Sequence, residues 1–541
     1  MAEMNGGAAM DKEALLKRVG SEKKLHRVDS CPFLKDHLTV VVIGASGDLA
    51  KKKTYPSLFA LWKSHFLPEK IKIVGYARSK MSDADLRDRL RPFLVGAKSV
   101  HGRTDSQVED FLEHCVYRSG GYEEAEAWKG VNEDLNEIEA NSGMLECNRL
   151  FYFAVPPNVF APAASAIKDN CWNLEGGREG WKRVIMEKPF GTDLSSFESL
   201  SQHLSSVFQE EEMYRIDHYL GKEMVANLLY VRFANIMFEP LWNRHYIKSV
   251  TITFKEDIGT YGRGGYFDKV GIVRDVMQNH LLQVMSIVAM EAPVRLAGER
   301  FDEFIRDEKV KVLECVDAIR PEEVVLGQYT ASRDGSEPGY LEDEGVPKDS
   351  NCPTFATLVM WIRNQRWEGV PFILKAGKAL NERKAEVRIQ FHAAAAGEFL
   401  FPSAGELVRN ELVFRMQPNE AIYMKANMKQ PGLGDKITVS ELDMTYRNAF
   451  PDDFDKLPDA YTRLILEVLR GKHAAFVRED ELRVSWKIFT PLLEKLESQK
   501  PTSYVFGTRG PKESDELISK LGFRYHGGFY KYLKSIPGKV G

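Results

Sequence analysis

The sequence is poor in the features that mark several protein classes. Only six cysteines are spread over 541 residues (Cys31, Cys115, Cys147, Cys171, Cys315, Cys352). None forms a CxxC pair, so neither a zinc knuckle nor a thioredoxin-like motif is suggested, no metal is expected, and free thiols in a reducing compartment are. No apolar run is long enough to span a bilayer, and no repeat or low-complexity linker interrupts the chain. A basic excess is also missing. The formal net charge is −4, so attraction to nucleic acid or an anionic membrane is not a bulk property, and any bound phosphate must be held by local cations. The first thirty or so residues carry Glu3, Asp11, Glu13 and Glu22 among lysines, with no apolar h-region. Neither a signal nor a transit peptide is expected, and the terminal Lys539-Val540-Gly541 is not a peroxisomal address. These absences predict a cytoplasmic protein with a flexible extension over residues 1–35.

What is present is the balance of a globular protein, 43% hydrophobic and 28% charged, with ample material for a core. Residues 38–43 (LTVVVI) form an uncharged β-branched run that reads as a buried parallel strand. A small-residue turn follows, then a helix expected through residues 51–62. Residues 71–74 read as a second strand, 83–94 as a helix, and 149–155 and 183–186 as further strands. This alternation predicts a Rossmann-like, doubly wound parallel sheet over 36–215. After residue 215 the texture changes. Residues 249–254 (SVTITF) alternate polar and apolar side chains, as a half-exposed strand should. Strand candidates recur at 357–363, 386–391, 411–416 and 421–424, with helical stretches at 276–290, 460–469 and 479–493, and 335–347 reads as a loop. The predicted fold class is therefore α/β followed by α+β. Residues 216–541 form a second domain for substrate binding and oligomerisation, with a large, mainly antiparallel sheet backed by helices.

Several motifs carry chemistry. Gly44-Ala45-Ser46-Gly47-Asp48-Leu49-Ala50 lies between a strand and a helix, where small residues admit a pyrophosphate and the helix N-terminus supplies N–H donors. The second strand ends at Arg78-Ser79-Lys80 without the acid that would bind a ribose 2′-hydroxyl. Arg78 can instead fork onto a 2′-phosphate, which points to NADP. Lys188, in Glu187-Lys188-Pro189-Phe190-Gly191, follows a buried strand and faces the crevice where ligands bind, within reach of substrate and coenzyme alike; Pro189 is a candidate cis proline. Residues 215–223 (RIDHYLGKE) pack two acids, a histidine, an arginine and a lysine around Tyr-Leu-Gly. On a helix His218 and Lys222 would share a face and clamp a phosphate. His280, in residues 274–281 (RDVMQNHL), suits a base that removes a hydroxyl proton during hydride transfer. On an ideal helix Asp275 sits roughly 140° from His280, so Asp217 is the better partner for the base and Asp275 is left for sugar hydroxyls. Lys378 and Arg383 add cations from far along the chain. Against these readings stand bland ones: an exposed basic turn, a surface lysine, a satisfied core histidine and a solvated charge run.

With these residues assembled, the chain closely resembles the glucose-6-phosphate dehydrogenases. The resemblance spans about residues 38–532 and rests on GASGDLAKKK (44–53), EKPFG (187–191), RIDHYLGKE, FKE (254–256), GRGGYFD (262–268), RDVMQNHL and GKALNERKAEVR (377–388). It implies oxidation of β-D-glucose 6-phosphate at C1 to 6-phosphogluconolactone, hydride transfer to NADP, and a homodimer or homotetramer built on the second-domain sheets. Carried over by motif, His280 is the base and Asp217 its partner. Lys188, His218, Tyr219, Lys222, Glu256, Asp275, Lys378, Arg383 and Gln417 line the sugar-phosphate site. Residues 44–50, Arg78, Tyr152 and Lys188 hold the coenzyme. Some members bind a second, structural NADP, for which the cluster here is Lys375, Lys384, Arg388, Arg415, Tyr423, Lys425, Asp443, Arg509, Tyr525 and Tyr532. Two of these depart from the animal pattern. Lys375 replaces an arginine and loses its bidentate geometry, and Tyr532 replaces a tryptophan and loses stacking area. The competing readings are a dehydrogenase of unphosphorylated sugars and an NADP-binding sensor or scaffold without turnover. The cations argue against the first, and the presence of both His280 and Asp217 against the second.

Overall fold

The computed structural model describes residues 31–96, 103–298, 300–401, 407–451 and 457–524. The chain divides into two compact units: Met1–Asn227 with Leu282–Glu314 and Phe450–Thr490, and Leu228–Leu281 with Cys315–Ala449 and Pro491–Gly541. Among the described residues no helix is long and apolar enough to cross a membrane.

The first unit holds six parallel strands: β1 (His37–Ile43), β2 (Ile71–Ala77), β3 (Cys115–Ser119), β4 (Cys147–Phe153), β5 (Lys182–Met186) and β6 (Met213–Arg215). Their order is β3-β2-β1-β4-β5-β6. This is the doubly wound arrangement, whose order reverses between β1 and β4, where ligands bind beyond the carboxyl ends of the strands. Every residue of β1 and β4 is buried, as uncharged strands covered on both faces require. Arg149 of β4 is the exception in character. It lies in the core with its charge matched by Glu139 at 2.6 Å and its remaining donors spent on Asn132, Asn136 and the Cys171 carbonyl. The helix Ala460–Leu469, expected to back the second sheet, belongs to this unit. Its Leu464, Ile465, Val468 and Leu469 join the core formed by Leu58, Phe59 and Leu61 of the helix Tyr55–Lys63.

The second unit holds β7 (Ile247–Lys255), β8 (Val324–Thr330), β9 (Phe355–Trp361), β10 (Pro371–Gly377), β11 (Lys384–Phe391), β12 (Glu411–Gln417), β13 (Ala421–Lys429), β14 (Ile437–Asp443) and β15 (Thr502–Val505). They form one sheet in the order β14-β13-β12-β11-β7-β10-β9-β8-β15. It is antiparallel except where β10 meets β7 and β15 meets β8. The expected half-exposure of β7 does not hold: Thr251, Thr253 and Lys255 are buried along with Val250 and Ile252. The register explains this. Thr253 lies between Lys375 of β10 and Glu386 of β11, and Thr251 beside Arg388, so long charged side chains from both neighbours cover the polar face.

Candidate active site

In the first unit, β1 turns sharply at Gly44. Its φ of +85° and the 2.4 Å that would separate a Cβ from the Ala154 carbonyl oxygen exclude any side chain. The Gly44 and Ala45 amides are spent on the Tyr76 carbonyl (2.7 and 3.3 Å), and Gly47 N donates to the Gly44 carbonyl at 2.8 Å. Ala45 and Ala50 are buried, and Ala45 faces Gly75 of β2, where an added Cβ would stand 2.9 Å away. Ser46 and Gly47 stay partly exposed, and Asp48 and Leu49 begin the helical backbone that continues as a π turn over Ala50–Thr54. Asp48 is exposed and paired with Lys51 (3.1 Å) and Lys52 (2.9 Å). These pairs hold its carboxyl below the usual range and largely neutralise an acid that would otherwise repel phosphate.

The end of β2 presents Arg78, Ser79 and Lys80 to solvent, with no acid among them. The Arg78 guanidinium lies 5.6 Å from the Tyr122 ring, a contact that braces a flexible fork. Tyr152 of β4 is buried, and its hydroxyl donates to Glu187 at 2.7 Å, so its polar end is committed to that carboxyl. Lys188 follows β5, half-buried, and the Lys188–Pro189 bond is cis, as is Gln417–Pro418.

Residues 217–222 are not helical, so His218 and Lys222 do not share a helix face. Leu220 N, Gly221 N and Lys222 N reach back three residues to Asp217, His218 and Tyr219 at 3.0–3.2 Å, and Asp217 Oδ1 accepts from Tyr219 N at 3.0 Å. Gly221 explains the tight turn: a Cβ there would lie 2.6 Å from the Ala460 carbonyl oxygen. Asp217 and Tyr219 are buried. His218 and Lys222 are partly exposed, and the Lys222 ammonium lies 5.0 Å from the Tyr219 ring. The flanking charges have structural work. Buried Arg215 donates from Nη1 to both carboxylate oxygens of Glu210 at 2.8 and 3.0 Å, and Glu223 pairs with Arg463.

In the second unit, Val273–Leu281 is a π-helix rather than an α-helix. A π turn bonds residues five apart, so the 140° that separated Asp275 from His280 no longer applies. The His280 backbone N–H donates to Asn279 Oδ1 at 2.7 Å, and Asn279 Nδ2 donates to the Arg274 carbonyl at 2.9 Å. His280 is buried, and Asp275 is partly exposed. Glu256, just past β7, and Lys378, just past β10, form an ion pair at 2.5 Å. The parallel β7–β10 register brings them together. Arg383 is exposed between β10 and β11, and Gln417 ends β12 half-buried.

The model of the glucose-6-phosphate dehydrogenase NAD binding domain matches residues 41–227, and that of the C-terminal domain matches residues 229–526. The chain belongs to the glucose-6-phosphate dehydrogenase family. Similar relatives include glucose-6-phosphate 1-dehydrogenases from Aspergillus niger (49% identical, over 94% of this chain and 96% of the relative) and Dictyostelium discoideum (52%, over 91% and 96%). The cytoplasmic form 5 from Arabidopsis thaliana is 48% identical over 96% and 97%. A solved glucose-6-phosphate dehydrogenase in complex with its substrate glucose-6-phosphate is 46% identical and superposes with a TM-score of 0.84, covering 91% of this chain and 99% of that one. As a member of this oxidoreductase family, the chain has the dinucleotide-binding domain that its turn and sheet order indicated.

This glucose-6-phosphate dehydrogenase family chain also carries a cavity of about 560 Å³ on the charged face of the second sheet. Lys375, Lys384, Arg388, Arg415, Tyr423, Lys425 and Arg509 line it, with Lys255, Arg383, Glu382, Glu386, Glu411 and Asp515. Eight cationic and four acidic side chains leave an excess of four positive charges among the described lining residues. Burial would push Glu386 up, but Arg388 and Lys384 beside it pull it down to about 2. Burial takes the Lys375 ammonium down to about 8, against the opposing pull of Asp515. Asp443 is not part of the lining; its Oδ1 accepts from Thr445 N at 2.8 Å. Tyr525 and Tyr532 lie outside the described residues. Lys255, inside the FKE motif but assigned no role from sequence, is bound to Glu382 at 3.0 Å. Register could have revealed it, because its β11 partner is Lys384.

Proposed function

We propose that this chain oxidises β-D-glucose 6-phosphate at C1 to 6-phosphogluconolactone, with NADP as hydride acceptor. The observation that carries this reading is the 49% identity to a curated glucose-6-phosphate 1-dehydrogenase over 94% of the chain. His280 takes the C1 hydroxyl proton as C1=O forms, and Asp217 orients the imidazole and steadies its positive charge. His218 and Lys222, with Lys188, Lys378 and Arg383, hold the phosphate. Tyr219, Glu256, Asp275 and Gln417 hold the sugar. Residues 44–50 with Arg78, Tyr152 and Lys188 hold the coenzyme, which when bound accepts two electrons and the hydrogen from C1. Exposed Arg78, with no acid beside it, supports NADP over NAD. Replacing His280 by Asn should lower kcat by about 10²–10⁴ while glucose 6-phosphate binding persists. Unchanged kcat in that variant would remove His280 from the base role.

The cavity on the second sheet suits a second NADP. Its positive excess and the aromatic face of Tyr423 match a phosphorylated, ring-bearing ligand. Calorimetry should then count two NADP per chain, and Arg509→Ala should reduce the count to one with turnover retained. One NADP in the parent protein would exclude this reading.

The protein works as a homo-oligomer through the β14 edge of its second sheet. Exposed Met428 on β13 and Val439 and Leu442 on β14 support that surface. The cytoplasm is its compartment.

A further inference from the structure

Glu187 is a buried acid of the first unit for which neither coenzyme nor substrate supplies a role. It follows β5 immediately and is 6% exposed. Tyr152 donates to its Oε1 at 2.7 Å from β4, and the Tyr461 hydroxyl, from the helix Ala460–Leu469, faces the same carboxyl. The other charged groups that bear on it are Lys188 from its own segment and Asp217 from the turn after β6. The Tyr461 ring in turn lies flat against the His218 imidazole, with centroids 5.9 Å apart and planes 8° from parallel. Lys53 stands 5.9 Å from that ring and 3.2 Å from Asp459.

We infer that Glu187 is a positioning residue: its carboxyl ties Tyr152 of the coenzyme strand to Tyr461, the plate on which His218 rests, and so sets how firmly His218 meets the substrate phosphate. The inference rests on the reading of His218 as a phosphate ligand. The carboxylate form grips two hydroxyl donors more strongly than the acid form does, so the strength of the tie depends on whether Glu187 is charged. Burial pushes its carboxyl up to about 7, with Tyr152 and Lys188 opposing and Asp217 adding to the rise. The grip therefore tightens as pH rises through neutrality.

The test is the KM for glucose 6-phosphate between pH 6 and 8.5, in the parent enzyme, Glu187→Gln and Tyr461→Phe, with NADP saturating. Relative to the parent, Glu187→Gln should raise KM about fivefold at pH 8 and hardly at all at pH 6, with kcat nearly constant. Tyr461→Phe should reproduce the pH 8 loss, and the double variant should lose no more than either single one. A KM ratio independent of pH, or additive losses in the double variant, would overturn the inference. If His218→Asn leaves KM unchanged, the phosphate reading of His218 fails and the inference falls with it. If His218→Asn raises KM while Glu187→Gln matches the parent at every pH, the inference alone fails. Should Glu187→Gln not fold, Tyr461→Phe still decides, because a pH-independent effect there would sink the tie.

Discussion

At the scale of single residues, the charges that looked alike in the sequence divide into separate tasks. Within residues 215–223, Arg215 pairs with Glu210 and Glu223 with Arg463, so these two charges brace the segment. Sequence proximity names all of them, but the partner of Glu223, Arg463, lies 240 residues along the chain. Glu187 has no role legible within its own motif for the same reason: Tyr152 and Tyr461 reach it from 35 residues before and 274 after. Its stability effect has a definite sign. The folded carboxyl titrates near 7, above the 4.5 of the unfolded chain. Stability from this group is full below about 4.5 and is lost as pH rises to about 7, by up to roughly 3 kcal/mol. The melting temperature of Glu187→Gln should therefore gain on that of the parent between pH 5 and pH 8, and thermal scans at the two values check it. Gly44→Ala is the opposite kind of change. A methyl group 2.4 Å from a backbone oxygen at φ +85° should cost at least about 1 kcal/mol and weaken NADP binding severalfold. A melt and a coenzyme titration would show it.

At the scale of elements, the parallel sheet was legible because its central strands carry long apolar runs, Leu38 and residues 40–43 in β1 and residues 150–153 in β4, that are buried throughout. Two features were not. The alternation of residues 249–254 suggested an exposed polar face, but side chains of β10 and β11 cover it, and only strand register shows that. The helix around His280 was expected to be ideal, but it is a π-helix over Val273–Leu281. A spacing of five residues has no signature in a pattern based on 3.6. The turn after β6 depends on Gly221, so Gly221→Ala should displace it from the Ala460 backbone. That variant should raise the KM for glucose 6-phosphate about tenfold with little change in the KM for NADP, and steady-state kinetics with each substrate varied would show the split.

At the scale of the whole molecule, fold class and family were within reach of the sequence, since the resemblance runs through nearly all of it. The composition of the two compact units was not. The chain returns to the first unit at Leu282–Glu314 and Phe450–Thr490, and local patterns do not say which core a helix joins. Self-association belongs to this scale. Light scattering should give at least twice the 61.5 kDa chain mass, and Val439→Glu with Leu442→Glu should lower it. The central claim, that an NADP-linked dehydrogenase of a sugar phosphate uses His280 as its base, is tested most directly by NADPH formation with glucose 6-phosphate, with glucose as the alternative substrate, in the parent enzyme and in His280→Asn. The account predicts turnover with the phosphate ester far above that with glucose, and a loss of about 10²–10⁴ in kcat in the variant. Equal rates with glucose, or a variant as fast as the parent, would contradict it.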